Sequence, residues 1–274
     1  LKKIKELIKE QYNLEITTGA IQNTLHCLKK KFGKKYQDFI KEIRKSKVKH
    51  ADETGWRIEG ENVWCWLFAD EKTSIYTIEE TRGKGVPEEM LGEHPQGVLV
   101  RDDYPAYKKL PMEQQSCWAH LLRVSHELSK KEKSSLEVKK LHNELVIMFS
   151  ELSKIIQQPY IKTEREKFYK NYTKQLVLIS NKIYRSSDAK EIQTRITNQN
   201  INLITALKHS NIPLTNNHAE RGLRHPVVMR KISGGSRSDK GADTTAKLLS
   251  VMQTMKMQDG NLLDNMVDVL QKGK

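Results

Sequence analysis

The sequence predicts an α/β fold, and three observations carry that prediction. Residues 48–79 hold three strand-like runs joined by short polar links. Gly97–Val100 is a brief, wholly apolar run, as expected of a strand buried on both faces. From Leu121 to about Ser210 the chain turns helical and strongly charged, with no strand signal.

The elements follow in order. Leu1, Ile4, Leu7 and Ile8 fall on one helical face, and Tyr12-Asn13 ends it. Thr17 or Thr18 caps a second helix carrying Ile21, Leu25 and Leu28. This pair is compatible with a helix-turn-helix or with a plain helical hairpin. A third helix, with Tyr36, Phe39, Ile40 and Ile43, leads to the basic stretch Arg44–Lys49. The period then changes: Val48–Asp52, Asn62–Ala69 and Ser74–Glu79 read as strands of an antiparallel meander, with Thr54–Glu61 and Asp70–Thr73 as polar links. Pro87–Leu91 reads as a short helix, Gly97–Val100 as the buried strand, residues 105–110 as a connection, and Ser116–His120 as a fifth strand or its end. This is an α/β pattern.

In the helical stretch, Leu141, Leu145, Met148, Leu152 and Ile155 recur at steps of three and four until Pro159 stops them. Phe168, Tyr172, Leu176, Ile179 and Ile183 mark a second helix; Asp188 caps a third, with Ile192 and Ile196. The run near Leu203, Ile204 and Leu207 is a candidate fourth. Leu214–Arg224 reads as a loop running into a helix, and Thr244–Met257 and Leu262–Leu270 as closing helices. Four segments result: 1–46 helical, 47–122 the first part of an α/β core, 123–212 a helical insertion, and 213–274 the rest of the core.

The chain has 274 residues, with 48 Lys+Arg against 34 Asp+Glu and a formal net charge of +14. That length supports a real core, and the charge favours a polyanionic partner, nucleic acid before membrane surface. Cys27, Cys65 and Cys117 are scattered and form no CxxC pair, so neither a zinc module nor a disulfide framework is indicated, and a reducing compartment fits. No apolar run reaches the ~18 residues of a membrane span. The basic, glycine-bearing segment His225–Gly241 does not match a nucleotide-binding GxxxxGK[ST] loop. A flexible loop against a phosphate backbone and a solvated surface loop both fit it.

Three carboxylates stand where chemistry would need them. Asp52 lies late in the first strand, Asp102 follows the buried strand, and Glu220 opens a late helix among Arg221 and Arg224. Carboxylates at strand ends and a helix start can converge on hard divalent cations, which want oxygen ligands. Two such ions stabilise the attacking and leaving oxygens of a phosphoryl displacement. Each acid also has a plainer account. Asp52–Gly55 suits a turn, Asp102-Asp103 suits a surface loop, and Asn217 with Glu220 has capping-box spacing.

Five motifs carry a resemblance: His50–Trp56 (HADETGW), Asp102–Tyr107 (DDYPAY), Cys117–Arg123 (CWAHLLR), Asn216–Arg224 (NNHAERGLR) and Arg230–Ser236 (RKISGGS). In this order, from about Ile21 to near the C-terminus, they resemble the transposases of bacterial and archaeal insertion sequences of family 66. The resemblance implies a ribonuclease-H-like fold: a mixed five-stranded sheet with flanking helices and a helical insertion before the catalytic Glu. It implies a DDE triad in which Asp52, Asp102 and Glu220 hold Mg²⁺, with two ions expected and Mn²⁺ able to substitute. Asp103 is the competing register for the second acid. The activity implied is metal-dependent DNA cleavage and strand transfer. A hydrolysis-only nuclease of the same fold and a non-catalytic DNA-binding descendant are the alternatives. His120 and Asn217 are candidate accessory residues, the first near the scissile phosphate or a metal ligand, the second shaping the Glu220 turn. Arg221, Arg224, Arg230, Lys231, Arg237 and Lys240 are candidate DNA contacts. The implied partner is double-stranded DNA, at element ends and target, bound by at least a homodimer in the prokaryotic cytoplasm, with no membrane.

Overall fold

The computed structural model describes residues 1–258 and 261–272. Three helices come first: α1 (Lys2–Tyr12), α2 (Thr18–Lys31) and α3 (Gly33–Lys45). Then come β1 (Val48–Ile58), β2 (Glu61–Ala69), β3 (Ser74–Glu79), α4 (Gly85–Leu91), β4 (Val98–Arg101), α5 (Pro105–Lys108) and β5 (Glu113–Ser116). Helices α6 (Trp118–Lys130), α7 (Leu136–Gln157), α8 (Lys162–Asn181) and α9 (Ser187–Gln199) follow, and α10 (Asn217–Ser233), α11 (Asp239–Met257) and α12 (Leu262–Lys272) complete the described chain.

The strands form one sheet in the order β3-β2-β1-β4-β5. β2 and β3 are antiparallel, whereas β1 with β4 and β4 with β5 are parallel. The fold is therefore α/β with a mixed, open, five-stranded sheet, consistent with the ribonuclease-H-like class. Among the described residues no helix is long and apolar enough to cross a membrane.

The chain divides into two compact units. One gathers residues 1–44, 53–82 and 222–274, the other 45–52 and 83–221; β1 and α10 contribute residues to both. In the first unit, Thr17 caps α2, its Oγ1 accepting from Ala20 N at 3.1 Å. α3 buries Tyr36, Phe39, Ile40 and Ile43, the face its periodicity marks. The meander differs from expectation at its start. β1 continues through Thr54–Ile58 and turns at Glu59-Gly60, both in the left-handed region (φ 53° and 93°), a two-residue hairpin turn. Edge strand β3 is covered by α11: Tyr76 N donates to Ser250 Oγ at 2.8 Å and Ser74 N to Thr254 Oγ1 at 2.9 Å. Hydroxyls thus take the outward N–H groups of an otherwise open edge.

Helix α10 runs through Pro226. Proline has no N–H for the carbonyl four residues back, and that carbonyl, Gly222 O, instead accepts from Tyr76 Oη at 3.0 Å. Gly222 itself is required by close approach: a Cβ there would stand 2.4 Å from Leu67 Cδ2. The basic segment 225–241 is not a free loop, because α10 runs through it to Ser233. Arg230 and Lys231 lie in the last turn of α10. Ser236 exchanges backbone hydrogen bonds with Arg57 O (2.8 Å) and Glu59 N (3.0 Å), and Ser238 caps α11.

In the second unit, Val98, Val100, Trp118 and Leu121 share a core with α7, α8 and α9, where Leu141, Leu145, Leu152, Leu176 and Ile192 are at most 1% exposed. Ser186 rather than Asp188 caps α9. The run near Leu203 forms two short 3₁₀ turns, Asn200–Leu203 and Thr205–Leu207, instead of a fourth helix. Side chains take its backbone groups: Leu203 O accepts from Trp118 Nε1 (2.6 Å) and Gln115 Nε2 (3.1 Å), and Ala206 N donates to Gln115 Oε1 (2.7 Å). Gly97 enters β4 at φ +79°, with Lys47 O where a Cβ would be, only 2.4 Å away. No other residue fits that approach.

Candidate active site

Strand register places the two aspartates. Val48, Lys49 and His50 of β1 pair in parallel with Val98, Leu99 and Val100 of β4. Asp52 and Asp102 each lie two residues beyond the last of these pairs. Asp52 is still within β1, whereas Asp102 is the first residue after β4, so the recorded pairing brings the chain to both aspartates from neighbouring parallel strands. β5 continues the pattern: Arg101 pairs with Ser116, and Cys117 N then donates to Arg101 O at 2.9 Å. Asp102 and Cys117 thus stand at the carboxyl ends of parallel strands, where open α/β sheets bind ligands. Asp52 sits mid-strand, because β1 runs on to Ile58.

The neighbouring Asp102 and Asp103 have different surroundings. Asp103 forms ion pairs with Lys108 Nζ (2.9 Å) and Arg101 Nη1 (3.8 Å). Asp102 Oδ1 accepts from Tyr104 N at 2.9 Å, and its backbone carbonyl accepts from Arg101 Nη1 at 2.6 Å. Arg101 is 1% exposed; burial pulls its guanidinium below the usual range, and Asp103 and Asp102 oppose that pull.

Asn216 sets the start of α10. Fully buried, it donates from Nδ2 to Ala51 O at 2.8 Å, its Oδ1 lies 3.0 Å from His50 Nδ1, and its N–H points at Cys117 Sγ, 3.1 Å away. Trp118 N donates to Leu214 O at 2.9 Å. The loop that introduces Glu220 is therefore fastened to the residue before Asp52 and to the end of β5. Asn217, the first residue of α10, is exposed. Both asparagines suit a cap by sequence, but the buried, fastened one is Asn216 and not Asn217, the accessory candidate. His218 was missed; its ring lies 5.0 Å from that of His50.

His120 lies in the first turn of a helix, not at a strand end, because β5 stops at Ser116 and α6 begins at Trp118. Its Nδ1 is 3.8 Å from Glu220 Oε1. Both atoms are buried and without a hydrogen-bond partner. With Cys117 Sγ they form a group whose ligand atoms all lie within 4.8 Å of one another; Asp52 and Asp102 are not part of it. Burial pushes the Cys117 thiol up, while the N–H groups of Asn216, His120 and Ala119 pull the other way.

Of the candidate DNA contacts, Arg221, Arg224, Lys231, Arg237 and Lys240 are exposed. Arg221, Arg224 and Lys231 fall on one stripe of α10 by their helical spacing. Arg230 is half-buried and donates to Gly55 O, so its guanidinium is engaged within the fold.

A search among curated proteins gave no match. The profile of the transposase IS66 family matches residues 1–244, starting earlier than the motifs alone placed it and ending within α11. The five motifs, the α/β sheet and this match agree, and the chain belongs to the IS66 family of transposases.

Proposed function

We propose that this chain cleaves DNA strands at the ends of an insertion sequence and joins them to target DNA, with Asp52, Asp102 and Glu220 as the metal-holding carboxylates. What supports the reading most is that Asp52 and Asp102 follow the parallel pairs of neighbouring strands β1 and β4, together with Asn216, which ties the loop before Glu220 to Ala51. The engagement of Asp103 by Lys108 and Arg101 favours Asp102 as the second acid. Residues 47–122 and 213–274 form the catalytic core in this reading, 123–212 a helical insertion, and 1–46 an N-terminal helical segment.

The donor set suits hard cations: three carboxylates, with Glu220 Oε1 buried and lacking a hydrogen-bond partner. Mg²⁺, as two ions, would supply an acidified water and neutralise phosphate charge there. The protein's own part is positioning. Asp52 projects from β1, Asp102 from the residue after β4, Glu220 from a pinned helix start, and Arg221 and Arg224 meet backbone phosphate from the exposed stripe. His120 faces Glu220, its Nδ1 3.8 Å from Oε1. The 3′-hydroxyl freed by cleavage would attack target DNA at the same carboxylates. The partner is double-stranded DNA, engaged by at least two copies.

The test is Asp52→Asn with end-bearing DNA and Mg²⁺ or Mn²⁺. Cleavage should fall to background while salt-dependent DNA binding persists. Full cleavage by that variant would overturn the assignment. Nicked products without joined ones, from the unaltered chain, would reduce the activity to hydrolysis.

A further inference from the structure

We propose that Cys117, His120 and Glu220 form a second metal site, one that takes a thiophilic divalent cation of the Zn²⁺ class. The three ligand atoms lie within 4.8 Å of one another. Nδ1 of His120 and Oε1 of Glu220 face each other at 3.8 Å. Each is buried with no hydrogen-bond partner, and buried polar atoms in that condition are uncommon and costly. One cation between them would satisfy the carboxylate oxygen and the imidazole nitrogen together. Tetrahedral zinc sets its nitrogen and oxygen ligands about 2.0–2.2 Å from the metal and sulfur at about 2.3 Å. The present spacing needs only a small inward movement of side chains to meet those lengths.

The donor set decides the class of ion. Thiolate and imidazole select zinc-like metals, whereas Mg²⁺ prefers oxygen alone. The backbone is already in place. Cys117 precedes α6 and His120 follows three residues later, so both project from one side of the helix start. Cys117 is held by Arg101 O through its N–H and receives the Asn216 N–H at sulfur. Three protein ligands leave the fourth position to water.

One consequence rests on the proposed catalytic role of Glu220. A cation held by Cys117 and His120 takes that carboxylate away from the Asp52 and Asp102 side, so the zinc-bound chain would be switched off for DNA cleavage.

The experiment titrates the metal-free chain with CoCl₂, without DNA or Mg²⁺, and reads the thiolate-to-cobalt charge-transfer absorption. The unaltered chain should show that band saturating at one equivalent and abolished by ZnCl₂. Cys27→Ser, which removes the exposed thiol, and Asp52→Asn should both keep it. Cys117→Ser should lose it, and His120→Gln should weaken Co²⁺ binding by roughly 10–100-fold or more. No band in the unaltered chain overturns the proposal, as does a band that survives in folded Cys117→Ser. If Cys117→Ser fails to fold, unchanged Co²⁺ affinity in His120→Gln overturns it equally. Absence of DNA cleavage with the band intact counts against the catalytic assignment alone. Zn²⁺ should also inhibit Mg²⁺-dependent cleavage, with a chelator restoring it.

Discussion

Replacing Asn216 with Ala tests whether its side chain sets the position of Glu220. The residue is fully buried and links Ala51 O at 2.8 Å with His50 Nδ1 at 3.0 Å. Each bond contributes about 1 kcal/mol net, and depriving buried partners of theirs raises the combined loss to about 2–4 kcal/mol. Asn217→Ala is the control, since that side chain is exposed and such changes usually stay within about 0.5 kcal/mol. Urea unfolding followed by tryptophan fluorescence measures both variants; Mg²⁺-dependent cleavage, assayed where both remain folded, measures the consequence for Glu220. Asn216→Asp refines the test, because a carboxylate can still accept from His50 but cannot donate to Ala51 O. Asn216→Ala should lose both stability and cleavage, with Asn217→Ala near the unaltered chain. Equal behaviour of the two alanine variants would refute the reasoning.

Gly222→Ala should destabilise by about 1–3 kcal/mol through overpacking, because its Cβ meets Leu67 Cδ2 at 2.4 Å. The penalty should shrink in a Leu67→Ala background, and equal Tm losses in both backgrounds would reject the clash. Asp243 accepts from Lys29 at 2.7 Å and Lys247 at 2.8 Å. Burial alone would raise its carboxyl, but the two lysines outweigh burial and hold it below the usual range. A depressed folded pKa stabilises above the unfolded value of about 3.9 and loses that contribution as pH falls through the folded pKa. The stability gap between the unaltered chain and Asp243→Asn should therefore be present at neutral pH and close in acid; a gap independent of pH would count against the pair.

Local chemistry was legible in the sequence wherever one residue type carries one preference. Thr17 caps α2, the stripe from Leu141 to Ile155 is the buried face of α7, and the tyrosine, phenylalanine and isoleucines of α3 are its core face. The motifs around Asp52, Asp102, Cys117, Glu220 and Arg230 were sufficient to indicate the family, because their order along the chain is itself information. Element ends were less legible. Thr54–Ile58 looked like a polar link, but pairing within the sheet extends β1 through it. Pro226 should end a helix, but Tyr76 Oη supplies the bond that proline withholds from Gly222 O.

By itself the sequence determined the periodicities, the cap at Thr17, the motif set and the charge, since each is a property of the residues themselves or of neighbours a few positions away. Only the tertiary structure decided which acid of the Asp102-Asp103 pair carries the lysine and arginine, which asparagine fastens α10, and that Cys117 and His120 meet Glu220. Those outcomes rest on strand register and on hydrogen bonds such as that from Asn216 N to Cys117 Sγ, 99 residues apart. A one-residue change of register moves every side chain of a strand to the opposite face, so local preference cannot specify these meetings.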